Sequence, residues 1–200
     1  MARLEILKYP DPRLRKHGEP VKEVTAELKA FTADMLETMY SARGIGLAAV
    51  QVNRHIRLLV IDIRPKENGR YKIEDLTELE KAAPMPFIIF NPEIISKDGK
   101  TTYDEGCLSV PTYFETVERA KEIEVTGLNE EGKRFTIKTD GLLAICIQHE
   151  IDHLDGKLFL DRLTPIRATR LKSKIKKHGY PDPSKADEDD DGDDKQEVEM

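Results

Sequence analysis

The sequence predicts an α+β fold: antiparallel or mixed β-sheets packed around a central metal-binding helix, with one helix N-terminal and another C-terminal to them. Three observations point there. Strand-like stretches gather in the middle of the chain, an amphipathic helical pattern precedes them, and two helical patterns close the sequence. That segregation suits α+β rather than the regular alternation of a doubly wound sheet. With 200 residues, of which 38% are hydrophobic and 35% charged, one domain can bury a core.

The elements follow in order. Thr25 is placed to cap a helix running to about Ala42, with Leu28, Phe31, Met35 and Met39 on one face and Gly44 positioned to end it. IRLLVIDI, residues 56–63, reads as a strand, and so does FIIFNPEII, residues 87–95, whose proline suits an edge or a bulge. The polar, proline-bounded stretch between them, Arg64 to Pro86, is expected to be a loop or short helix, with no role legible in its residues. EIEVTGLNEEGKRFTIKT alternates as two strands joined by a turn around Asn129 to Gly132. Asp140 or Gly141 then opens a helix to about Leu154. A last helix runs from Pro165, a favoured first-turn position, to about His178.

Charge separates the chain in two. The net charge is −6, yet DEDDDGDDKQEVEM, from Asp187 to Met200, carries nine acids and one lysine, so the first 186 residues are at +2. A like-charge block of this kind usually stays unfolded, and the expected organisation is one catalytic domain over residues 1–179 with an acidic, disordered tail over 180–200. Residues 164–179, TPIRATRLKSKIKKHG, hold six Arg or Lys and no acid. No apolar run approaches the roughly 18 residues of a membrane span, and the N-terminus does not read as a secretory signal, so the expected address is the cytoplasm, without membrane contact. Two cysteines, Cys107 and Cys146, are too few for a disulfide scaffold.

The chemistry concentrates in QHEIDHLDG, residues 148–156. On a helix, His149 and His153 lie within about 40° of each other and about 6 Å apart along the axis, so both rings reach one cation. Glu150 falls on the flank of that face, close enough to hold a water without being a ligand. The apolar run LLAICI leads directly into the motif, so the histidines face inward rather than to solvent.

A catalytic metal needs a third protein ligand. Zinc peptidases with this motif take it from a His six residues beyond the second His, a position held here by Phe159, or from a Glu roughly 20 residues downstream, where none occurs between Glu150 and Glu188. Cys146 is seven residues from His153, about 10 Å of helix rise, too far to share the ion, and reads as core or pocket wall. Cys107, in EGCLSVP, remains: a cysteine after glycine and before a proline suits an extended or bulged segment passing close to something. Cys plus two His leaves a fourth coordination position open, the mark of a catalytic site. RGIGLAAVQV, residues 43–52, satisfies a relaxed dinucleotide fingerprint but follows a helix instead of a strand, which excludes that reading. Its glycines permit close backbone approach, and Gln51 offers an amide able to donate to an oxyanion.

GIGLAAVQ, EGCLS and QHEIDH, in that order, resemble the three signature motifs of peptide deformylase, the metallohydrolase that removes the N-formyl group from the initiator methionine of new bacterial proteins. The similarity runs from YPDPRLR to HLDGKLFLDRL, through about Leu163. The resemblance implies that Cys107, His149 and His153 bind one divalent metal ion and that Glu150 is the general acid/base. It implies that Gln51 and the Leu108 N–H stabilise the oxyanion, and that Ile45, Gly46 and Gly106 pair with the substrate backbone. Ferrous iron is the ion it implies, with nickel, cobalt or zinc able to replace it; the ligand types alone do not choose. Leu142, Ile145 and Cys146, upstream on the inward stripe, are placed to wall an apolar pocket for methionine. The implied substrate is an N-formyl-methionyl nascent peptide, and the six cations of residues 164–179 suggest contact with the ribosome. Two other readings remain: a metallopeptidase using the same helix, and a noncatalytic, metal-stabilised binding protein.

Overall fold

Thr25 caps α1 (Ala26–Ser41) as its position predicts, its hydroxyl accepting the Leu28 N–H at 3.3 Å. The computed structural model describes residues 2–65 and 73–180, so the acidic tail and residues 66–72 of the long connection lie outside the described residues. In chain order there follow β1 (Gly46–Ala48), β2 (Leu58–Ile61), α2 (Glu78–Ala82), β3 (Phe87–Asp98), β4 (Thr101–Cys107), β5 (Val110–Arg119), β6 (Glu122–Leu128) and β7 (Arg134–Asp140). Helices α3 (Gly141–Leu154) and α4 (Pro165–His178) complete the described chain. Among the described residues no helix is long and apolar enough to cross a membrane.

Two antiparallel sheets form, as expected for the α+β class. One has the order β1-β2-β3-β6-β7 and the other is the β4-β5 hairpin. The unbroken apolar run of β2 has a direct cause: both of its faces are covered. Leu59 and Ile61 join the cluster containing Leu143, Ile147 and Ile151 of α3, while Leu58 and Val60 join Leu28, Met35 and Met39 of α1. A strand sandwiched between helices has no polar face, so its sequence does not alternate.

Pro92 of β3 sits at a bulge, not at an edge. The register slips between Phe90 and Glu93, Asn91 takes φ 51°, and its amide bridges Val21 through bonds of 2.7 and 2.8 Å to that residue's backbone N–H and C=O. The β4-β5 hairpin, which strand alternation alone does not reveal, is held by a third cluster. Val110, Tyr113 and Val117 pack there on Leu158, Phe159 and Leu160 and on Leu171 and Ile175 of α4.

Candidate metal centre

The position of α3 is fixed by a segment remote in sequence. Asp140 precedes the helix but makes no side-chain cap; Glu80 of α2 does so instead, its Oε1 accepting the Leu143 N–H at 2.9 Å. Glu80 is itself held by a capping box, its Oε2 accepting the Thr77 N–H at 2.8 Å while its own N–H donates to the Thr77 hydroxyl at 3.1 Å. A Cβ on Gly141, which has φ +59°, would stand 2.5 Å from that carboxylate, so glycine is needed there. The long connection thus supplies a carboxylate at the helix N-terminus, where negative charge is stabilised, and every residue from Leu143 to Leu154 is buried.

At the other end of α3, one turn apart, the His149 and His153 Nε2 atoms lie 3.2 Å from each other. Cys107, at the end of β4 where the ladder slips after Glu105, brings its Sγ to 3.2 Å from His153 Nε2. One ligand atom from each of the three residues falls within 4.8 Å of the other two. The donor set fits a cation. Glu105 Oε2 lies 2.8 Å from His149 Nδ1 and can only accept, so Nδ1 carries the proton and Nε2 turns a lone pair inward. A facing nitrogen and a sulfur at 3.2 Å repel that lone pair unless a positive charge sits among them. The spacing matches the roughly 3.3–3.7 Å edges of a tetrahedral shell with nitrogen at about 2.0–2.1 Å and sulfur at about 2.3 Å. The buried His153 Nδ1 and Glu150 Oε2 find no hydrogen-bond partner in the protein.

Behind His149 runs a buried chain of alternating charge. Arg119 donates to both oxygens of Glu105 at 2.7 and 2.9 Å, and from its other face to Asp152 Oδ2 at 2.5 Å. Asp152 also receives Arg162, through a 2.9 Å bond from its Nε and a second from Nη2. Although burial opposes ionisation, these hydrogen bonds hold the Glu105 and Asp152 carboxyls below the usual carboxylate range. Such partners orient a metal ligand and fix its tautomer.

Glu150 is different. Burial pushes its carboxyl up to about 7, against the lowering influence of His149, which suits a group that accepts and returns a proton near neutrality. Gln51 is aimed by its own backbone neighbourhood: Oε1 accepts the Ala48 N–H at 2.8 Å, so Nε2 points to Ser109 Oγ at 3.1 Å and to Cys107 Sγ at 3.7 Å. β1 is an edge strand, and the Ile45 carbonyl accepts the Asp62 N–H at 2.8 Å. By ladder alternation the Gly46 N–H and C=O then turn toward the free edge.

Of the twelve residues singled out in the sequence, eleven line one cavity of about 460 Å³: Ile45, Gly46, Gln51, Gly106, Cys107, Leu108, Leu142, Ile145, Cys146, His149 and Glu150. His153 lies just beneath it, 1% exposed. A larger depression of about 550 Å³, between residues 3–8 and α1, is away from these groups. Sequence reasoning missed Glu80, Glu105, Arg119 and Asp152. Glu105 and Asp152 stand inside the motifs quoted above, and a carboxylate beside a ligand was a usable signal; Glu80 and Arg119 carry none.

Residues 3–169 match the family described as polypeptide deformylase. A peptide deformylase of Neisseria meningitidis (serogroup C, strain 053442) is 49% identical over 177 residues, 88% of this chain and 96% of its own. The crystal structure of a peptide deformylase from Legionella pneumophila superposes with a TM-score of 0.74 at 44% identity, covering 88% of this chain and 95% of that one. That of the Ehrlichia chaffeensis enzyme in complex with actinonin gives 0.77 at 40%, covering 88% and 98%.

Proposed function

The chain belongs to the polypeptide deformylase family, metal-dependent amide hydrolases that release formate from N-formyl-methionyl nascent peptides, and from that premise we propose how its residues divide the work. Cys107, His149 and His153 hold one divalent ion, ferrous iron in the cell, with nickel, cobalt or zinc as competent replacements. The observation that carries this reading is the convergence of one sulfur and two Nε2 atoms beside a cavity that also presents Glu150 and Gln51.

A bound divalent ion supplies a Lewis acid that polarises the formyl carbonyl and makes water a nucleophile near neutral pH. Glu150 takes the proton of the water that attacks the formyl carbon. Gln51 Nε2 and the Leu108 N–H donate to the carbonyl oxygen as it gains charge, an interaction stronger in the transition state than in the substrate. Glu150 then passes its proton to the departing amine as the C–N bond breaks, leaving formate and a free N-terminus. Ile45, Gly46 and Gly106 hold the peptide backbone, with the free edge at Gly46 accepting it as an added strand. Leu142, Ile145 and Cys146 wall the methionine side chain.

The decisive measurement is formate release from a formyl-Met peptide by anaerobically purified protein, with acetyl-Met peptide as control. Release from the formyl peptide alone is expected. Equal cleavage of both, or internal peptide cleavage, would favour the metallopeptidase reading, and metal binding without turnover the noncatalytic one.

Gly46 offers a second check. A Cβ there would lie 2.4 Å from Glu150 Oε1 and 2.7 Å from Cys146 Sγ. Gly46→Ala is expected to push the carboxylate aside and lower kcat by about 100-fold, the cost of a misplacement of about 1 Å, with thermal unfolding little changed.

The catalytic unit is taken as one domain over residues 1–179, with 180–200 as an acidic appendage, acting in the cytoplasm. Contact with the ribosome through α4 is part of the same proposal: its cations suit a phosphate backbone, where affinity falls steeply with salt. Leu171 and Ile175 belong to the core, so truncation would unfold the helix's own support. Reversing the exposed Arg170, Lys176 and Lys177 to Glu is the cleaner experiment. Loss of ribosome co-sedimentation is expected, and unchanged co-sedimentation would rule the contact out.

A further inference from the structure

Five large hydrophobic side chains stand exposed among the described residues, and Phe114, at 64%, is the one of them that lines the catalytic cavity. Its orientation follows from β5. Tyr113 turns into the cluster with Leu158 and Phe159, so the next side chain must face the opposite side of the strand. There the ring lies against Gly106: a Cβ on that glycine would stand 2.5 Å from Phe114 Cε1 and 2.8 Å from Cδ1. Backbone geometry adds to the signal, because Thr112, two residues earlier at the same rim, holds φ +70°. That conformation is a genuine outlier for a β-branched residue, and such strain gathers at binding sites.

The surroundings define what the ring can receive. Tyr103, Pro111 and Thr112 beside it on the cavity rim are neutral. The nearest anion of the hairpin, Asp104, keeps its carboxylate on the rim, accepting the Thr116 hydroxyl at 2.6 Å. An aromatic ring with one side against a glycine backbone and the other facing water offers a surface for a second apolar group. The substrate supplies one. With the formyl group at the metal ligands and methionine against Leu142, Ile145 and Cys146, the peptide leaves the cavity past Gly106. An extended chain advances about 3.4 Å per residue, so the first or second residue after methionine arrives at the ring.

Resting on the deformylase reading above, we propose that Phe114 is a specificity-determining contact that makes this enzyme prefer an aromatic or large aliphatic residue at one of the two positions following the formyl-methionine, and disfavour an acidic one there. The test uses two peptide series, formyl-Met-Xaa-Ser and formyl-Met-Ala-Xaa, with Xaa as Gly, Leu, Phe or Asp, and reads kcat/KM from formate release by the metal-loaded enzyme. In one series the wild type is expected to favour Phe over Gly by about tenfold, the range an apolar pocket can discriminate. In Phe114→Ala that ratio falls toward unity, Phe114→Tyr keeps it, and Phe114→Arg moves the preference to Asp. A wild-type ratio near one in both series, or a ratio unchanged in Phe114→Ala, overturns the proposal. No formate from any peptide would instead overturn the deformylase reading itself, so the two failures are distinguishable.

Discussion

Replacing Glu150 with Gln is expected to leave the metal bound and to remove nearly all turnover. The substitution keeps the shape of the side chain, and Glu150 is not among the three residues whose donor atoms converge. What it removes is an oxygen that can accept a proton, in a site where burial has brought the carboxyl up to about 7. General acid–base catalysis contributes about 10²–10⁴-fold, and one group here serves both the attack and the departure, so the loss should lie toward the upper end. Metal content by elemental analysis and kcat by formate release check it together. Metal retained with activity above a tenth of wild type would remove Glu150 from the proposed role; loss of metal would make it a ligand.

Arg119→Leu is expected to have the largest effect on stability. Arg119 is buried between two buried carboxylates, Glu105 and Asp152, and bonds both. Removing it leaves Glu105 with no cation except what His149 provides, while Asp152 keeps Arg162. Breaking a buried pair by deleting one partner costs about 3–5 kcal/mol, because a charge stays desolvated without compensation. Glu105 also orients His149 through Nδ1, so metal affinity should weaken by about 10–100-fold, as for other outer partners of metal ligands. Urea unfolding gives the first quantity, and the rate of metal loss to a chelator gives the second. A midpoint shifted by less than the equivalent of about 1 kcal/mol would mean that water replaces the guanidinium, and that the chain of charges does not support the site.

Much of this site was legible without coordinates, for a physical reason. His149, Glu150 and His153 are placed relative to one another by helix geometry alone, and the period of 3.6 residues is a local property of the backbone. The ends of α4, the cap at Thr25 and the turn between β6 and β7 were equally local, each fixed by a Pro, a Thr hydroxyl or an Asn-Gly turn segment. Composition excluded a membrane helix and a disulfide scaffold on the same terms.

Other features depended on segments distant in sequence. β2 ended shorter and β3 ran longer than apolar runs suggest, because hydrogen-bonded partners, not side-chain pattern, decide where a ladder stops. The β4-β5 hairpin was hidden because one of its faces is wet and lined with mixed polar residues, and what buries the other is α4 and the turn at 158–160. The connection between β2 and β3 reads as an arbitrary polar loop until Glu80 is seen 63 residues away on the Leu143 N–H. The sequence by itself determined which residue types meet a metal and on which helix. Only the tertiary structure decided that Cys107 reaches them, that Glu105, Arg119 and Asp152 stand behind them, and that Phe114 faces the cavity. Side-chain contacts across dozens of residues are set by packing, which no local period encodes.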